Sequence, residues 1–87
     1  MDKIVILASP VAPMQQIFVY QNGEITERIG VSVQDLAEII YSIIETTGIN
    51  KVEISGNHNY TLGIQEELTH AMQTEFTSIG DVNIVCI

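Results

Sequence analysis

The chain has 87 residues, the length of one domain, and its 46% hydrophobic and 16% charged residues exclude a disordered chain. Eleven acidic residues against three basic ones give a net charge of −8, so we expect no direct binding to nucleic acid or to anionic membranes. A basic protein partner or a divalent cation suits this charge better, although a high net charge also keeps a protein in solution without any partner.

Targeting and redox signals are sparse. The apolar run before Ser9 is only five residues long, which is too short for a signal peptide or a membrane span. The lone Cys86 excludes an internal disulfide bond and lies in an apolar segment, where such a residue is usually a small buried hydrophobe. By elimination, we expect a cytoplasmic protein.

The first third of the chain predicts three strands. Residues 4–8 form an unbroken apolar run, which is typical of a central strand covered on both faces. Residues 17–20 and 25–29 are rich in β-branched and aromatic side chains, and Asn22-Gly23 between them favours a tight hairpin turn. We expect Ile25 to share a face of the third strand with Glu27, which makes that strand a partly exposed edge.

Two amphipathic helices are predicted in the rest of the chain. The first begins after Ser32, whose hydroxyl we expect to cap the amide three residues on, and ends at Gly48, which permits a left-handed helix stop. Ile39 and Tyr41 widen its apolar face beyond what one sheet contact needs, which favours either a broadly buried helix or a self-association face. The second helix is predicted to begin near Thr61.

Two further strands, at residues 51–56 and 82–87, each precede or follow a helix. The predicted fold is therefore an α/β domain with the element order β-β-β-α-β-α-β, a five-stranded mixed sheet of order 3-2-1-4-5 and two right-handed crossover helices. The fifth strand is an edge yet nearly all apolar, so either the second helix or another chain should cover it. The candidate interface residues are Ile39, Tyr41, Ile84 and Cys86.

This order of elements, from Ile4 to Ile87, resembles the ribonuclease H-like superfamily, the core of retroviral-type nucleases and Holliday-junction resolvases. The resemblance implies a two-metal nuclease with carboxylates on the first strand, at the end of the fourth, and on a helix after the fifth. Here the first strand carries no acid, Glu53 lies inside the fourth strand, and no helix follows the fifth. Two divalent ions about 4 Å apart need several convergent carboxylates, so we expect the scaffold without nuclease chemistry and without a metal or cofactor.

A candidate ligand site lies where the fourth strand joins the second helix, because ligands of open α/β sheets bind at the carboxyl ends of strands and helix N-termini offer free amides. A neutral polar ligand or one phosphate would suit it. Helix capping and turn formation are the favoured alternative for the same residues. The seven residues are Ser55, Gly56, Asn57, His58, Asn59, Tyr60 and Thr61.

Three functions remain open from the sequence. The leading hypothesis is a non-catalytic interaction or assembly module that forms a homo-oligomer, since the apolar content is high for so small a domain. The second is a small acidic inhibitor, of the kind that a phage encodes, which occupies a basic groove of a host or nucleic-acid enzyme. The third is an enzyme or small-ligand binder that uses residues 55–61.

Overall fold

A computed structural model describes residues 2–87 and shows a five-stranded mixed sheet with two α-helices. The strand order β3-β2-β1-β4-β5 and the order of elements along the chain are both as predicted. A 3-10 turn precedes the first helix and another follows the second. The elements are β1 (Lys3–Ala8), β2 (Gln15–Gln21), β3 (Glu24–Val31), α1 (Leu36–Thr47), β4 (Lys51–Gly56), α2 (His58–Thr74) and β5 (Asn83–Cys86).

The first strand is the centre of the sheet. It pairs with β2 in antiparallel and with β4 in parallel, and β4 pairs in parallel with β5. Asn22 and Gly23 have φ angles of 56° and 81°, as the predicted hairpin turn between β2 and β3 requires. The crossovers through α1 and α2 run in the same direction across the sheet, and two right-handed crossovers of that kind place both helices on one face.

The hydrophobic core accordingly lies between the two helices and a single face of the sheet. Its side chains are fully or almost fully buried and come from all five strands and both helices. They include Ile4, Ile6, Ile17, Val19, Val52 and Ile54 from the sheet, and Leu36, Ile40, Ile64 and Leu68 from the helices.

The expectation that β1 is covered on both faces is wrong. Ile4 and Ile6 are 0% exposed on the helical side, whereas Leu7 is 45% exposed on the other side. An unbroken apolar run is typical of a strand that is covered on both faces. Here the chain itself covers only the face that carries Ile4 and Ile6.

A β-bulge changes the faces of β3. Between Val19 and Tyr20 the register shifts, so that Val19 pairs with Glu27 and Tyr20 pairs with Ile25. The extra residue, Thr26, donates its hydroxyl to the Val19 carbonyl at 3.3 Å. An added residue inverts the alternation beyond it, so Ile25 faces away from the helices and the expectation that it shares a face with Glu27 is wrong.

Only the C-terminal end of α1 is as predicted from the sequence. Gly48 has φ 76°, and its N–H donates to the Ile44 carbonyl, which confirms the left-handed stop. At the start, the Ser32 hydroxyl accepts no amide N–H as a cap: it donates instead to the Asp35 carboxylate at 3.1 Å, a charge-assisted hydrogen bond. The Asp35 N–H bonds instead to the Ser32 carbonyl, which gives a 3-10 turn before α1.

The apolar edge strand β5 is covered by α2 rather than left bare. The amide nitrogen of Gln65 on α2 donates to the Ile84 carbonyl at 2.8 Å, and its amide oxygen lies 3.6 Å from the Cys86 sulfur. Ile84 itself is only 8% exposed. The Gln65 side chain therefore forms a hydrogen bond with a carbonyl on the outer edge of the sheet, a carbonyl that another strand could otherwise pair with.

Candidate functional site

The predicted ligand loop is shorter in the structure than in the sequence analysis. Ser55 and Gly56 belong to β4, Asn57 is the N-cap, and α2 begins at His58, three residues before the predicted start. The side-chain oxygen of Asn57 accepts from the Tyr60 N–H at 3.3 Å. Asparagine is a preferred helix cap, so the signal for the earlier start was present in the sequence.

Most of this segment has a structural explanation within the chain. Gly56 has φ 147°, and a side chain there would collide with the Ala8 carbonyl oxygen of the neighbouring strand. Thr61 is 2% exposed, and its hydroxyl donates to the His58 carbonyl at 3.0 Å. His58 and Asn59 are exposed. Residues 55–61 stay a predicted ligand site, while capping accounts for Asn57, close strand packing for Gly56 and a helix hydrogen bond for the buried Thr61.

Several surface cavities lie away from this segment. Four of them, of ≈ 210 to ≈ 390 Å³, are lined by residues outside 55–61. One lies between α1 and α2, with Glu67, His70 and Glu75 among its lining residues and Leu36 and Leu68 at its apolar side. Within residues 2–87, no three His, Cys, Asp or Glu side chains come together in a way that could hold a metal ion.

The four predicted interface residues pack against their own chain. The Tyr41 ring stacks on Phe76 with centroids 4.6 Å apart, and its hydroxyl is 2.8 Å from Glu45 and 2.9 Å from Ser78. Ile39 is half-buried against the core, while Ile84 and Cys86 face α2 as described above. An interface at these residues stays a prediction, but the structure offers a more exposed apolar surface on the sheet.

That surface is the side of the sheet away from the helices, called here the open face. Strand alternation and the observed pairing define its members. They are Lys3, Val5 and Leu7 of β1, Gln16, Phe18 and Tyr20 of β2, Ile25, Arg28 and Gly30 of β3, Lys51, Glu53 and Ser55 of β4, and Asn83, Val85 and the adjoining Ile87 of β5.

Exposed apolar side chains concentrate on the open face. Leu7 is 45% exposed, Ile25 40% and Ile87 66%. Met14, 44% exposed, lies over Gly30 at one end of the same face. These are four of the seven exposed large hydrophobic side chains in residues 2–87, so the open face is the main apolar surface of the described chain.

All three basic residues of the protein also lie on this face, with a single acid. The Glu53 carboxylate is 3.0 Å from the Lys3 ammonium and 3.6 Å from that of Lys51. The hydrogen bond from Lys3 is the largest effect on Glu53, and with the two lysine charges it outweighs desolvation and lowers the pKa of the carboxyl. Glu53 is therefore a doubly paired carboxylate.

The third cation, Arg28, is held differently. Its guanidinium lies over the Phe18 ring, 5.9 Å from the centroid, as the Lys3 ammonium lies 5.5 Å from the centroid of Tyr20. Within residues 2–87 Arg28 forms no salt bridge. It is the cation of the open face that is left to pair with an outside carboxylate.

The remaining ten acids lie off the open face. Asp2 and Glu24 lie at the hairpin end of the sheet. The other eight belong to the helices, to their flanking segments or to the helix-facing side of β3, and together form what we call the acidic side. They are Glu27, Asp35, Glu38, Glu45, Glu66, Glu67, Glu75 and Asp81.

Comparison of the chain with protein-family models, with curated proteins and with solved structures found no match. None of the helices within residues 2–87 is long and apolar enough to cross a bilayer. The open face was missed in the sequence analysis, although a signal for it existed. Two right-handed crossovers in one direction leave the opposite face of a sheet bare, and alternation then places Val5, Leu7 and Phe18 on that face.

Proposed function

We propose that the chain is a non-catalytic protein-interaction module that binds its partner through the open face. The observation that supports this function is the grouping of four exposed large hydrophobic side chains and all three cations on one face. The lysines stand near the strand starts and Arg28 on an edge strand, around an apolar centre formed by Val5 and Phe18. An apolar centre with a charged rim is the usual composition of protein interfaces.

The scaffold in this proposal is ribonuclease H-like in its order of elements but not in its chemistry. Glu53, the acid of the fourth strand, is engaged by Lys3 and Lys51 rather than facing other carboxylates. A two-metal site needs several convergent carboxylates, and the open face carries only this one. The sheet then serves to present a surface, and its acid serves to order two lysines.

Two leucines allow a matched test of the proposed function. Leu7 is 45% exposed on the open face, and Leu62 is 39% exposed on α2, away from that face. The wild-type chain and the variants Leu7→Lys and Leu62→Lys are each immobilised, and capture of proteins from an extract of the producing cells is quantified. We expect Leu7→Lys to lose at least tenfold of the captured partner, about 1.4 kcal/mol or more, and Leu62→Lys to behave as wild type. Equal capture by both variants would reject the open face as the binding surface.

A second candidate function rests on the acidic side. Eight carboxylates lie there, among them Glu66 and Glu67 on α2 and Glu75 at its end, and they suit a basic groove of another protein. In that case partner binding should weaken steeply with salt and should fall in the double variant Glu66→Gln/Glu67→Gln, while Leu7→Lys has no effect. The two functions therefore predict opposite responses in the same capture assay.

A further inference from the structure

We propose that the occupant of the open face is a second copy of this chain, packed face to face about a two-fold axis that runs parallel to the strands above β1. This inference rests on the proposed function and names its partner. In such a pair the two sheets are aligned, about 10 Å apart, with the helices of each copy on the outside. The interface is isologous, so each patch must complement itself.

The charges of the open face meet that requirement. Arg28 lies on β3, two strands to one side of β1, and Glu53 lies on β4, one strand to the other side. A two-fold axis above β1 exchanges these sides, so each Arg28 lies opposite the partner's β5, one strand from the partner's Glu53. Adjacent strands are about 4.8 Å apart, and an arginine and a glutamate that extend toward each other across the gap between the sheets can bridge this lateral offset. A two-fold axis perpendicular to the strands would instead place the two Arg28 side chains, which carry the same charge, against each other.

The distribution of the other charges favours the same arrangement. Each copy carries a net charge of −8, and its acids lie mainly on the helical side. When the open faces pack together, the two helical layers are about 30 Å apart. This distance is the sum of one spacing between the sheets and two spacings between a sheet and its helices, each about 10 Å. That separation is about three Debye lengths at 0.1 M salt. Any contact through a helical face would bring acids closer together.

The size of the open face limits the class of interface that it can form. Five strands about 4.8 Å apart and about six residues long give a face of about 24 by 20 Å, so two copies bury on the order of 1,000 Å². This is the lower limit for a specific interface. We therefore expect a reversible dimer with a dissociation constant on the order of 10–100 μM, rather than an obligate one.

Sedimentation equilibrium of the full chain between 5 μM and 1 mM tests the inference. We expect the wild-type mass to rise from monomer to dimer across this range. Leu7→Lys and Ile25→Lys, both on the open face, should weaken the dimer at least tenfold, and Leu62→Lys should leave it unchanged. Arg28→Glu should weaken it as well, whereas Arg28→Lys should retain most of it. Circular dichroism verifies that each variant is folded, and two open-face variants guard against one that is not.

The possible outcomes separate this inference from the proposed function. If the wild-type chain is still a monomer at 1 mM, a second copy is not the occupant of the open face. The capture assay alone then decides whether this face binds another protein. A dimer that persists in both open-face variants overturns the face-to-face arrangement. Masses that grow beyond a dimer also overturn it, because a closed two-fold pair cannot extend.

Discussion

At the scale of single residues, the tightest constraint lies where β4 passes β1. Gly56 has φ 147°, a conformation that side chains rarely adopt, and a Cβ atom there would collide with the Ala8 carbonyl oxygen. Gly56→Ala should therefore lower the free energy of unfolding by about 3 kcal/mol, from strain and overpacking together. Gly63→Ala is the control, since Gly63 lies inside α2 with open space around it and should gain about 1 kcal/mol in helix propensity. Urea denaturation measures both, and a neutral Gly56→Ala would contradict the close strand contact.

A second prediction at this scale concerns Glu53, whose pKa is lowered from 4.5 chiefly by the hydrogen bond from Lys3. A lowered folded-state pKa means that the ion pairs stabilise the fold above pH 4.5 and that this contribution is lost as the pH falls through the folded-state pKa. Glu53→Gln should cost about 1 kcal/mol or less at pH 7, because both lysines are partly exposed. It should cost less at about pH 3, below the ordinary pKa of the carboxyl.

The measurement is urea denaturation of wild type and variant at both pH values. Glu66→Gln provides the control, as Glu66 is exposed on α2. Its change in stability at each pH gives the effect of replacing a surface glutamate by glutamine without an ion pair. A Glu53→Gln cost that is the same at both pH values would show that the loss comes from packing rather than from ionisation.

At the scale of elements, the contact between α2 and β5 decides how the sheet ends. Gln65 donates to the Ile84 carbonyl, whereas Gln73 on the same helix is exposed. Gln65→Ala should lower the free energy of unfolding by about 1 kcal/mol and increase aggregation, because the edge carbonyl loses its partner. Gln73→Ala, with the same change in helix propensity, should do neither. Thermal unfolding and light scattering compare the stability and the aggregation of the two variants. If the variants do not differ, Gln65 does not protect the edge of the sheet.

The elements also show which parts of the fold a sequence determines locally. The hairpin at Asn22, the stop at Gly48 and the strand order follow from short-range signals and crossover handedness, and all were predicted correctly. The bulge that turns Ile25 outward depends on pairing between two strands, which no single segment specifies. The bare face of β1 was misread because an apolar run looks the same whether a helix of the same chain covers it or not, as Leu7 shows. Because that face was assumed to be covered, the open face was not identified from the sequence as a candidate binding surface.

At the scale of the whole molecule, the two sides of the domain differ in charge. The open face carries three cations and one acid, whereas ten acids lie elsewhere. Close contact of two copies is then opposed by repulsion between their acidic sides and supported by short-range apolar contact on the sheets. The balance between these two effects depends on salt in a way that distinguishes a second copy from a basic partner.

Added salt should therefore strengthen the proposed dimer. Apolar contact at the open face is little affected by screening, while repulsion between two bodies of net charge −8 falls as the Debye length shrinks from about 20 Å at 0.02 M to about 8 Å at 0.15 M. For charged layers about 30 Å apart, this change should tighten the dimer on the order of tenfold. Sedimentation equilibrium at the two salt concentrations measures it. A basic protein held by the acidic side would respond in the opposite direction, because screening weakens attraction as it weakens repulsion, so a dimer that loosens with salt would contradict face-to-face packing of the open sheets.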